Sequence, residues 1–81
     1  MPRYYFHIRD GEDFLPDEEG VELPNLKAAH REAILSARGI IAEKILHGEV
    51  VDGEVIEITD EEGGILDAVA MRSVVRMAED D

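Results

Sequence analysis

The stretch from Asn25 to Gly48 constrains this chain more than any other, because it carries every mark of a capped amphipathic helix. Pro24 bars an earlier helical start and keeps the entering chain extended. Asn25 is a strong N-cap residue, since its side-chain oxygen accepts from a free amide of the first turn. Gly48 suits the position just past the end, where a left-handed backbone closes the helix without a Cβ clash. Between the caps there is no proline, and good helix formers dominate. Gly39 is the weak point, and its place in the helix is expected to be where another backbone comes close.

At 100° per residue, Leu26, Ala29, Ala33, Ile34, Ala37, Ile40, Ile41 and Ile45 gather on one broad face. A face of that width is expected to lie on a sheet, with the closest approach near Ala29 and Ala33. A thinner stripe of Ala28, Leu35, Ala42 and Leu46 lies nearly opposite. It reads as scattered surface apolars, as a surface covered by the C-terminal segment, or as a helix-to-helix contact between subunits. Lys27, Arg31 and Arg38 run along one flank. They read either as a solvated flank that offsets acidic loops or as a basic strip that meets an acidic partner.

The segments around the helix alternate as strands do. From Arg3 to Arg9, Tyr4, Phe6 and Ile8 point one way and Tyr5, His7 and Arg9 the other, with the first set placed under the helix. Residues 10–24 read as an irregular acidic arm: a turn at Asp10-Gly11-Glu12-Asp13, a short strand at Phe14-Leu15, a second turn before Gly20, and a brief alternation at Val21–Leu23. Pro16 and Pro24 confine any strand there to an edge. After the helix, Glu54–Thr59 and Ile65–Met71 form a hairpin around the loop Asp60–Gly64, with a glycine at positive φ. The inward set of the return strand is either Leu66, Ala68 and Ala70 or Ile65, Val69 and Met71, and Asp67 favours the first because it shares a face with the second. Ser73–Ala78 fits a short helical turn through Val74, Met77 and Ala78 or an extension of the strand, and residues 79–81 should fray. The expected fold is one α+β domain over 1–81, a three- to four-stranded antiparallel sheet with one long helix across one face, in the order β-β-α-β-β. The other sheet face is then either wet or an interface.

A domain of 81 residues buries only about 60–65% of its unfolded surface, so a second subunit would help it. The absence of cysteine excludes disulfides, thiolate metal sites and cysteine nucleophiles. No secretory signal and no membrane-spanning run is visible, so the expectation is a soluble cytoplasmic protein. The formal charge of −12 repels phosphate backbones and argues against direct nucleic-acid binding. Residues 10–22 hold seven acids and no base, and residues 48–70 eight acids and no base.

The start, Met1-Pro2-Arg3-Tyr4-Tyr5-Phe6-His7-Ile8-Arg9-Asp10-Gly11, with Pro16-Asp17-Glu18-Glu19-Gly20-Val21-Glu22-Leu23-Pro24 and the later run Ile56-Glu57-Ile58-Thr59-Asp60-Glu61-Glu62-Gly63-Gly64, resembles a family of small bacterial proteins, domain of unknown function 6894. That family usually ends its last strand with phenylalanine, where this chain has Met71. The resemblance implies a bacterial, self-standing domain and carries no catalytic or binding residue with it.

Chemistry-bearing motifs are sparse. His30 and His47 lie about 25 Å apart along one helix and cannot share an ion. His7 meets His30 only if it faces the helix, against the inward placement of Tyr4, Phe6 and Ile8. The acidic run from Asp10 breaks the EF-hand spacing at Phe14. Ser36 and Ser73 sit in no nucleophile motif, and no glycine-rich phosphate loop follows a strand. The expectation is therefore no catalysis, no cofactor and no metal. The chain reads as a protein-interaction or regulatory module acting as a homodimer. The alternatives are an acidic antitoxin-like or nucleic-acid-mimicking regulator that binds a basic partner, and a small metal-binding protein or enzyme.

Overall fold

A computed structural model describes residues 1–75. The chain forms β1 (Arg3–Asp10), β2 (Asp13–Leu15), β3 (Val21–Glu22), helix α1 (Leu26–Leu46), β4 (Val55–Thr59), β5 (Ile65–Ala70) and a 3-10 turn over Met71–Val74. The sheet is antiparallel and five-stranded, in the order β2-β1-β4-β5, with β3 also paired to β1. The α+β class and the single helix across one face are as the periodicity predicts. The arm adds one strand more than expected, since both of its short alternating pieces pair with β1. Met77, Ala78 and the tail 79–81 lie outside the described residues.

The caps work as local sequence dictates. The Asn25 side chain accepts from the Ala28 amide at 2.9 Å. Gly48, at φ 71°, donates to the Ile45 carbonyl, and Glu49 donates to that of Lys44. These two bonds satisfy the last turn's carbonyls in the arrangement a left-handed residue permits. The helix is unbroken through Gly39.

The core lies between α1 and the sheet. Ala29, Ala33, Ala37 and Ile41 are buried against Tyr4, Ile56, Ile58, Val69 and Met71, with Phe6, Ile8, Ile34 and Ile40 packed at the margin. The alanines let the helix sit close to the strands, and the isoleucines of β4 fill the space. Leu26 and Ile45, expected on the core face, are exposed. They occupy the two ends of a helix longer than the sheet it covers. Gly39 has nothing within 4 Å of a Cβ placed there, so no backbone of this chain approaches it.

The inward set of β5 also departs from expectation. Val69 and Met71 are buried, whereas Leu66, Ala68 and Ala70 are exposed. Asp67 shares the helix side with Val69 without penalty because it stays at the rim. Its carboxylate accepts from His30 Nδ1 at 2.8 Å and from the Ala68 amide at 2.8 Å. The Met71 amide bonds to the Glu54 carbonyl, so the odd residues of β5 face β4 and the Ala68 amide points off the free edge. Asp67 thus occupies a donor that the edge strand would otherwise present.

Candidate interaction surfaces

Three surfaces remain once the core is formed: the solvent side of α1, the outer face of the sheet, and the flank where the arm joins β1. Each follows from residues already placed.

On α1, Lys44 falls at the centre of the inward side, one turn beyond Ile40 and Ile41, where an ammonium needs an acid. Glu54, only 4% exposed, supplies it at 2.8 Å, and Glu49 stands at 3.7 Å. The Glu54 hydrogen bond outweighs desolvation and holds the Lys44 ammonium above its ordinary pKa, with Glu54, Glu49 and Asp10 adding charge attraction. The bond to Lys44 likewise holds Glu54 below the usual carboxylate value against the upward push of burial. Sequence reading passed over this pair. Its signal was present in the angular position of Lys44 on the apolar side of the helix.

Directly opposite lies the thin stripe. Leu35 is 57% exposed and Leu46 79%, Ala42 is exposed and Ala28 half-buried. Gly39 lies on the same side, and Ile45, 67% exposed, extends the apolar area at the C-terminal end. No described element of this chain covers Leu35 or Leu46. Along the neighbouring flank, Lys27, Arg31 and Arg38 are exposed and form no ion pair among the described residues. Arg38 Nε donates to the Val74 carbonyl at 3.4 Å, so its guanidinium is tied to the 3-10 turn.

On the outer sheet face the polar groups of β1 and β4 are bonded to one another, while Phe14 and, on β5, Leu66, Ala68 and Ala70 stay exposed. Tyr5 stacks on His7 with the rings 5° from parallel, Phe14 tilts against His7, and the Arg9 guanidinium lies 4.6 Å from the Phe14 centroid. Arg9 also grips Glu57 through Nε at 2.9 Å. His7 Nδ1 accepts from the Asp17 amide at 2.9 Å, which leaves Nε2–H to donate to Thr59 Oγ1 at 3.0 Å. His7 thereby ties the arm to β4. His30 pairs with Asp67, and His47 bonds to the Glu43 carbonyl. Among the described residues no three histidines or acids come together as metal ligands.

The arm is held by Asp17. Between β2 and β3 no strand covers the middle of β1, and the Asp17 carboxylate takes its place. It accepts from Phe6 at 3.1 Å and from Glu19 and Gly20 at 3.2 Å. Partial burial pushes this carboxyl up, but the amides of Phe6, Gly20 and Glu19, with His7 nearby, outweigh that and hold it below its ordinary value. Gly20, at φ 69°, has the Tyr4 carbonyl 2.9 Å from where a Cβ would be, so only glycine passes there.

Among the described residues no helix is long and apolar enough to cross a membrane. The family whose sequence model matches residues 3–72 is described as Domain of unknown function (DUF6894). No curated protein and no solved structure matches the chain.

Proposed function

The chain belongs to the DUF6894 family, and on that premise we propose that it is a non-catalytic protein-interaction module that acts as a homodimer through the solvent side of α1. The observation that carries this reading is the exposure of Leu35 and Leu46 diametrically opposite the buried alanines. Of the two candidate faces, the outer sheet face exposes Phe14 at 42% and Leu66 at 43% beside polar groups bonded to one another, whereas Leu35 and Leu46 of the stripe are exposed further, at 57% and 79%. A second copy fits the spacing. An antiparallel pairing about a two-fold axis beside Gly39 sets Leu35 of each copy over Ala42 of the other, and Gly39 lets the backbones come close. The expectation of a nearby backbone at Gly39 then applies between copies, not within one. Such a module needs no cofactor, and its acidic surface suits a cytoplasmic protein kept apart from nucleic acid.

Sedimentation at high concentration is the test. The native chain should run at twice its monomer mass, and the Leu35→Glu, Leu46→Glu double variant at the monomer mass. A native chain that stays monomeric, or a variant of unchanged dimer mass, would overturn the reading.

A further inference from the structure

The helix packs over β4, β5 and the 3-10 turn and stops short of the β1–β2 hairpin. This offset leaves a cleft of about 330 Å³ between the hairpin and the C-terminal half of α1. We propose that this cleft binds a small organic cation with an apolar body, of the arylalkyl-ammonium class. Its volume sits at the low end of the roughly 300–1,000 Å³ typical of small-ligand sites. Ile8, Leu15, Ile40 and Met71 give it apolar walls. Leu15 is 63% exposed at its lip, a costly position for an uncovered leucine.

The charge of the occupant follows from which groups are already answered. Lys44 reaches the cleft but is held by Glu54 and faced by Glu49. The second Glu54 oxygen accepts the Asp52 amide at 2.9 Å. The single ammonium is outnumbered by the carboxylates of Glu54, Glu49, Asp10 and Asp13, so the cleft disfavours an anion. Asp10 and Asp13 also line the cleft and stand directly opposite each other across the hairpin; Asp10 adds attraction to Lys44 from a distance, and neither aspartate forms an ion pair among the described residues. Like charges so placed repel, and an ammonium at the mouth relieves both. The body of the ligand then lies along the apolar walls. This site is separate from the stripe on α1, so it stands whether or not the chain pairs with itself.

The test is a methyl and amide NMR titration of the full chain with 2-phenylethylammonium, 2-phenylethanol and 3-phenylpropionate. The ammonium should shift Ile8, Leu15, Ile40 and Met71 saturably, with affinity about tenfold above that of the alcohol, roughly what two partly solvated carboxylates supply. The propionate should not saturate these signals. The Asp10→Asn, Asp13→Asn double variant should remove the advantage of the ammonium over the alcohol. Leu15→Trp, which fills the cleft from an exposed position, should abolish binding with the hairpin charges intact. Equal affinity for all three probes, preference for the anion, or no saturable shift at the cleft would overturn the proposal.

Discussion

Asp17 does with one carboxylate what a continuous strand would do with its backbone. The Phe6 amide points toward the arm, where β2 has ended and β3 has not begun, and Asp17 accepts from it. Truncation by Asp17→Ala strips the partner from three amides and should cost about 1.5–3 kcal/mol, read from chemical denaturation. Because the folded carboxyl is held below its ordinary value of 3.8, its contribution is complete above that value and is lost as pH falls through the lower folded one. The gap between native and variant stability should therefore close as the solution is acidified. Gly39 gives a second expectation. It is exposed with open space at its Cβ position, so Gly39→Ala should raise the stability of the single copy by about 0.8–1 kcal/mol at dilute concentration. On the homodimer reading the same methyl group should weaken association, and sedimentation separates the two effects. The sequence showed that Gly39 was costly, but not which surface it served, because that depends on what lies outside the helix.

At the scale of elements, the ends of α1 were legible and its inward side only in part. Asn25 and Gly48 act within a turn of themselves, so their roles follow from neighbours in sequence. Leu26 and Ile45 fit the apolar periodicity yet lie exposed, because periodicity reports direction and not how far the sheet extends. The β5 face was misread for a related reason. Asp67 was judged unfit for the inward side, and the partner that makes it fit, His30, comes from an element 37 residues away. Lys44 and Glu54 join the last turn of α1 to the start of β4, and their shifts set a pH window for that joint. Glu54, lowered, contributes above its ordinary 4.5 and loses that contribution as pH falls. Lys44, raised, contributes fully below its ordinary 10.5 and loses that contribution as pH rises through the higher folded value. Thermal melts should show a plateau between these limits for the native chain. Lys44→Met should flatten the alkaline fall and leave Glu54 a buried acid that melts more readily near neutrality than in acid.

For the whole molecule, the class of fold was readable because each hairpin and the helix announce themselves locally. The placement of β1 between the arm and β4 was not, since that order brings together residues some fifty apart in the chain, such as Tyr5 and Thr59. The arm was expected to be irregular and yields two strands, because β1 offered it an unpaired edge on which to order. If the chain works as a homodimer, its melting temperature should climb with protein concentration, and the Leu35→Glu, Leu46→Glu variant should melt at one temperature throughout.

The bond between Asp67 and the outward amide of Ala68 has a consequence for how copies meet. A neighbour's strand seeking to lengthen the ribbon finds the middle of that margin plugged by a fixed anion, and the opposite margin is taken up by the arm. Lateral growth through the β5 margin is obstructed. On the homodimer reading, copies join back to back, rod against rod, an arrangement that closes on itself at two.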